Sequence, residues 1–332
     1  MSQYDYIKEI ARYALANDNI RLLETLYALV DYAQQINKNN FALQLQSIIK
    51  EAKRRDAFFV NPYKTIDDSE LDGIVFDSII SDYSLDNLVC SPIVRKDLEY
   101  FIKEHRSNDV LNRLNIPLSN KVFFHGPSGC GKTLAAYVLA GELHKPLTIV
   151  NLGAIVSSKL GETSKNLTKV FKRAAEEKSV IFFDEFDSLG KIRDYDQDHG
   201  EMKRVVNTML QLFDFFSKDC IIIAATNQIQ MIDEALLRRF DVTIKLDYPQ
   251  TKQVKELVTS VLRSGAFAFD DEILSNNVVE KCKNISYYTI KKTLLSAIKR
   301  TVLDNENLSL SKINTRIWDE LIGAELNETI HY

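Results

Sequence analysis

Apolar residues first recur at spacings of three and four. They run Ile7, Ile10, Ala11 and Ala14; then Leu22, Leu23, Leu26, Leu29, Val30 and Ala33; then Leu43, Leu45, Ile48, Ile49 and Ala52. Each set lines one face of a helix. Asn17-Asp18-Asn19 and the stretch 37–40 supply breaks and N-caps between them. The pattern predicts a small helical bundle over 1–58. Over 59–84 the periodicity lapses, and Asn61-Pro62 with the acidic stretch 67–72 reads as a linker.

Between 85 and 250 the pattern changes. Short, unbroken apolar runs at 121–125, 147–150, 179–183, 220–225 and 242–246 alternate with helical patterns. Such runs suit strands buried on both sides, and their alternation with helices predicts an α/β fold: a parallel sheet with helices on both faces. Pro249 closes this region. Helical spacing then returns over 251–332, through Val254, Leu257, Val258 and Val261 and then Ile290, Leu294, Leu295, Ile298 and Val302. This predicts a small all-helical domain.

Length and composition narrow the class. A chain of 332 residues has room for two domains and a third small one. With 45% apolar and 27% charged residues it reads as soluble and globular. A formal net charge of -4 argues against nucleic acid as the main partner. Cys90, Cys130, Cys220 and Cys282 form no C-x-x-C pair, which suits free thiols in a reducing compartment rather than disulfides or zinc. The N-terminus has no basic start followed by an apolar core, and no window approaches the roughly 18 apolar residues of a membrane span. The expected location is the cytoplasm, without membrane contact.

The chemistry begins at Lys121–Thr133, KVFFHGPSGCGKT. An apolar strand runs into Gly126-Pro127-Ser128-Gly129-Cys130-Gly131-Lys132-Thr133, and a helix-forming run starting at Leu134 follows. This fits G-x-x-x-x-G-K-[ST] in the context that a phosphate-binding loop requires. The glycines let backbone N–H groups curl around a phosphate, and the helix N-terminus adds partial positive charge. Lys132 would reach the β- and γ-phosphates of a nucleotide, and Thr133 would hold Mg²⁺.

Three later segments complete a constellation. The apolar strand before Asp184 and Glu185 ends in two carboxylates, at the strand end where ligands sit in a parallel sheet. Asp184 could bind Mg²⁺ through its water shell, and Glu185 could act as general base on an attacking water. The run from Ile221 ends in Thr226-Asn227, whose amide could hydrogen-bond the γ-phosphate or that water. Arg238 and Arg239, in ALLRRFD, are forked cations suited to phosphate; far from their own phosphate loop, they would serve a neighbour's nucleotide.

Together these motifs resemble the AAA family of ATPases, over about residues 85–325. The resemblance implies a P-loop NTPase sheet and a Mg²⁺-dependent ATPase working as a homo-oligomer, usually a hexameric ring. Each site would be completed by the neighbour's arginines, and the C-terminal helices would form the lid. It places Leu88 and Val89 against adenine. A narrower resemblance, carried by SLDNLVCSPIVRKDLEYFIKEHR, GETSKNL, FDEFDSLG and GEMKRVVNTMLQ, is to bacterial AAA proteins encoded beside a subtilisin-like serine protease in anti-phage defence. It implies a protein substrate or a partner effector.

One departure stands out. Protein-threading members carry an aromatic ring in the loop facing the central pore, and here Lys159-Leu160-Gly161 puts a lysine in that place. A lysine stem is apolar but grips a chain less well than a ring. Remodelling a threaded protein, gating a partner with little translocation, and acting on DNA therefore all stay open. The spacing of Asp194, Asp196 and Asp198 does not fit a calcium loop, because Gly200 is seventh and Val205 twelfth. Glu201 and Arg204, one helical turn apart, are read as coupling subunits.

Overall fold

The five apolar runs pair edge to edge. The computed structural model describes residues 3–15, 19–35, 38, 41–42, 45–46, 49, 75–152, 162–191, 199–217, 219–265, 267–304 and 312–330. It divides into two units, Met1–Asp72 and Gly73–Tyr332.

In the first unit, α1 (Gln3–Leu15) and α2 (Asn19–Gln35) are the first two predicted helices. Helix α2 buries most of its predicted stripe, whereas in α1 Ile7, Ala11 and Ala14 are exposed and Tyr6, Ile10 and Tyr13 are partly covered. Leu23, Leu29, Val30 and Ala33 of α2 are buried, and the rings of Tyr6 and Tyr32 meet 5.6 Å apart. Of the predicted third helix, 41–42, 45–46 and 49 are helical.

The second unit is built on a six-stranded sheet, comprising β1 (Val75–Ile80), β2 (Lys121–His125), β3 (Pro146–Val150), β4 (Val180–Phe183), β5 (Ile221–Thr226) and β6 (Val242–Lys245). Their order is β1-β3-β4-β5-β2-β6. All five predicted strands are present and parallel. Strand β1 corrects two expectations: it lies in the predicted linker 59–84, and it pairs antiparallel with β3 from Ile80↔Pro146 to Val75↔Val150. The sheet is therefore mostly parallel, with one antiparallel edge. Every residue of β4 and β5 is buried, as expected for strands covered on both faces.

The covering helices include α3 (Pro92–Arg106), α4 (Asn108–Arg113), α5 (Lys132–Glu142), α6 (Glu162–Glu177), α7 (Ser188–Lys191), α8 (His199–Phe215) and α9 (Glu234–Leu237). Helix α3 starts at an N-cap, Ser91, whose side chain accepts from the Val94 N–H, with Pro92 at the first helical position. Its buried face of Val94, Leu98, Phe101 and Ile102 shares a core with α5 and the sheet.

The C-terminal helices are α10 (Thr251–Gly265), α11 (Glu272–Lys281), α12 (Tyr287–Leu303) and α13 (Thr315–Ile330). They close their own core around Trp318, which is fully buried and stacks on Phe269 at 5.2 Å. This domain is not wholly helical. Strands β7 (Ala268–Phe269) and β8 (Lys312–Ile313) pair in it, and Asp270 accepts hydrogen bonds from both the N–H and the hydroxyl of Thr315. No helix among the described residues is long and apolar enough to cross a membrane.

Candidate nucleotide site

Strand β2 delivers the chain to its carboxyl end, where Gly126–Gly131 turns into α5. Three glycines there have positive φ: Gly126 at 138°, Gly129 at 71° and Gly131 at 93°. At Gly126 a side chain is excluded twice over, because a Cβ would sit 1.9 Å from the Leu246 carbonyl oxygen. Leu246, directly after β6, thus presses the loop into its curl. Lys132 opens α5 and is almost fully buried. Its Nζ donates to the carbonyls of Gly126 and Pro127, both at 2.8 Å, so the loop and its cation brace one another. Burial pulls the Lys132 ammonium below its ordinary pKa, while the charges of Cys130, Asp184 and Asp187 oppose the shift.

The next residue along α5 meets the next strand. The Thr133 hydroxyl donates to Asp184 Oδ2 at 2.9 Å. Asp184 Oδ1 accepts from the Glu185 N–H, also at 2.9 Å. Glu185 itself is exposed and left-handed, with φ 48°, so its carboxylate leaves the strand direction on a turn. One hydroxyl and one carboxylate held together suit a hard cation that keeps waters and shares phosphate oxygens. Among the described residues no cluster of three or more His, Cys, Asp or Glu could hold a metal without such help.

These groups surround one cleft of about 640 Å³. Of the predicted residues, Leu88, Val89, Ser128, Gly129, Gly131, Lys132, Thr133, Leu134, Asp184, Glu185 and Asn227 line it. Gly126, Pro127 and Cys130 do not line it; the carbonyls of the first two accept from Lys132, and Cys130 is a buried thiol whose pKa burial pushes up to about 11. Leu88 belongs to the sheet core, and Val89 packs against the lid core, so this segment straddles the junction between them.

Periodicity and motif left out the opposite wall. Leu257, Ser260 and Val261 of α10 and Tyr287, Tyr288 and Lys291 of α12 also line the cleft. Tyr287 packs against both cores. The Tyr288 N–H donates to the Gly129 carbonyl at 3.1 Å, which ties the lid to the phosphate loop. Nothing in the local pattern of Tyr287-Tyr288 announces this, since helix α12 reads from sequence as any amphipathic helix.

Arg238 and Arg239 do not line the cleft of their own chain. Arg239 is held by Asp214 of α8 through two hydrogen bonds, 2.7 and 3.2 Å long. That contact raises the arginine's pKa and lowers the aspartate's. Among the described residues the Arg238 side chain pairs with Glu234, one turn away on α9, and both side chains are largely exposed. Lys159, Leu160, Gly161, Asp194, Asp196 and Asp198 lie outside the described residues, and so do the side chains of Glu201 and Arg204.

Comparison with known proteins bears on the family and the fold. The model of the ATPase family associated with various cellular activities (AAA) matches residues 122–248. An uncharacterized AAA family ATPase of Sinorhizobium fredii is 34% identical over 67% of this chain and 66% of its own length. The ATP-dependent zinc metalloprotease FtsH 2 of Thermoanaerobacter sp. is 33% identical over 49% of this chain and 32% of its own. The crystal structure of the FIGL-1 AAA domain matches with a TM-score of 0.62 at 18% identity, covering 79% of this chain and 90% of that one, which shows a common fold.

Proposed function

This chain belongs, through residues 122–248, to the AAA family of ATPases, and on that premise we propose that it hydrolyses ATP with Mg²⁺ in a ring of identical subunits to remodel a protein. The observation that carries the reading is the single cleft in which Lys132, Thr133, Asp184, Glu185 and Asn227 converge. Lys132 binds the phosphates. Thr133 and Asp184 would hold Mg²⁺, which offsets phosphate charge. Glu185 takes the proton of the attacking water, and Asn227 orients that water or the γ-phosphate. Leu88 and Val89 give the base an apolar seat.

Arg238 and Arg239, remote from their own cleft, would complete the neighbour's site, as ring assembly requires. A chain with both arginines replaced by alanine should be inactive alone yet still bind ATP. Mixed with Lys132→Ala subunits it should recover hydrolysis, because some interfaces then join an intact loop to intact arginines. A mixture that stays inactive while mixed rings demonstrably form refutes the shared site.

A protein substrate is supported by the FtsH relative, whose name joins ATP to proteolysis in that protein. The resemblance to AAA proteins of anti-phage defence gives the biological setting: a bacterial cytoplasm, with a subtilisin-like serine protease as partner. Lys159, in the place of a pore aromatic, favours a second reading in which the ring gates that protease with little translocation. Unfolding of a tagged protein selects remodelling. Hydrolysis without unfolding, together with a copurifying protease, selects gating.

A further inference from the structure

Hydrolysis needs Glu185 and Asn227 to face one water, yet each stands on a different strand end. The last β4–β5 partners are Phe183 and Ala224; β4 ends there, while β5 stays paired with β2 as far as Thr226. Beyond the end of β4 two hydrogen bonds tie the two segments, and a third closes the turn after β5. The Phe186 N–H donates to the Ala225 carbonyl at 2.8 Å. The Thr226 hydroxyl donates to Asp187 Oδ1 at 2.8 Å, and it accepts from the Gln228 N–H at 2.9 Å. Glu185 is therefore followed at once by a residue pinned to β5. Asn227 stands between Thr226, which carries that hydroxyl, and Gln228, which donates to it.

The link is shielded from water. Asp187 is 2% exposed and Thr226 1%. Phe186, between Glu185 and Asp187, is fully buried, with ring centroids 6.0 Å from Phe183 and from Phe240. A buried carboxylate is costly unless it is hydrogen-bonded, so a geometry that depends on one has little freedom to drift. Glu185 is left-handed, and such a backbone persists where its surroundings over-determine it.

We propose that Asp187 and Thr226 are a positioning pair, a buried carboxylate–hydroxyl link that fixes the Glu185 turn relative to Asn227 and so places the base and the amide on the same water. The inference rests on the ATPase reading above and deepens it. Neither residue lines the cleft, so both act through Glu185 and Asn227 rather than on the nucleotide.

The test is steady-state hydrolysis of ATP by the full chain, beside binding of a fluorescent ADP analogue and a thermal melt. Thr226→Val keeps the shape and removes the hydroxyl. It should lower kcat by about 10- to 100-fold, the scale of a displaced catalytic group, while KM and ADP affinity stay within about twofold. Thr226→Ser, which keeps the hydroxyl, should restore most of the rate. In a Glu185→Gln chain, adding Thr226→Val should cost little more, because the pair acts through the missing base. The pair is overturned if Thr226→Val turns over like the unaltered chain. It is also overturned if Thr226→Ser fails to rescue, or if kcat, affinity and melting temperature fall together. An unaltered chain that assembles but hydrolyses no ATP overturns the ATPase reading itself, and the pair with it.

Discussion

Lys132 shows how much of the site depends on single side chains. A buried ammonium is tolerated here because two loop carbonyls accept from it. A third donor remains for phosphate. Charge-assisted bonds contribute about 1.5–3 kcal/mol each, so Lys132→Ala should weaken ATP binding by roughly 100-fold in a nucleotide titration. Glu185→Gln should bind ATP normally and lose about 10²- to 10⁴-fold in phosphate release, the range for a lost general base. Normal turnover by Glu185→Gln would remove Glu185 from that role. These residues were legible in sequence because phosphate chemistry fixes both residue type and spacing. Tyr287, Tyr288 and Lys291 were not, since tertiary packing alone brings α12 to the loop.

The thiols act at the same scale. Burial pushes Cys130 up to about 11 and Cys282 up to about 12, against an ordinary value of 9.0. Between the ordinary value and the raised one, the folded chain holds protons that the unfolded chain has released. Stability therefore falls as pH rises through that window, and the contribution is intact below it. Denaturation midpoints should hold near about pH 8 and drop by about pH 10.5, with the drop reduced in Cys130→Ala. A drop of the same size in Cys130→Ala would show that this thiol is not the cause.

Elements decide how binding reaches the lid. Helix α12 begins at Ser286, whose hydroxyl accepts from the Thr289 N–H, and the same turn gives the Tyr288 N–H to Gly129. The fit leaves no room at Gly129: a Cβ there would sit 2.6 Å from Ser286 Oγ and 3.1 Å from Tyr288 Cβ, on a residue with φ 71°. Gly129→Ala should therefore push α12 off the loop. A left-handed alanine alone costs about 1–2 kcal/mol, so the melting temperature should fall by several degrees and nucleotide affinity should fall with it. A variant equal to the unaltered chain in both would show that the loop and the lid move independently. The parallel strands were readable because each is an unbroken apolar run. Strand β1 was not, because Asp77 and Ser78 interrupt its apolar residues, as an edge strand tolerates and a buried one does not.

At the scale of the whole molecule, that edge strand decides where the chain can be cut. The division between units falls between Asp72 and Gly73, ahead of β1, rather than at the predicted end of the linker near Leu85. From β1 onward the chain is bound into the larger unit. Ile79 packs on the sheet core, the Ser81 hydroxyl donates to the Tyr137 carbonyl at 2.7 Å, and the Leu85 N–H donates to Glu142 at 3.0 Å. Each net hydrogen bond contributes about 1 kcal/mol. Removing β1 with its ladder should therefore cost on the order of 3 kcal/mol or more, and leave β3 as a bare apolar edge open to another chain. A chain beginning at Gly73 should keep its fold, its nucleotide affinity and basal hydrolysis. One beginning at Leu85 should melt roughly 6–12 °C lower and aggregate on warming. Side-by-side thermal melts with light scattering decide between them. Equal melting temperatures would mean that the antiparallel edge contributes nothing to stability, and that the cleft rests on the five parallel strands and the lid alone.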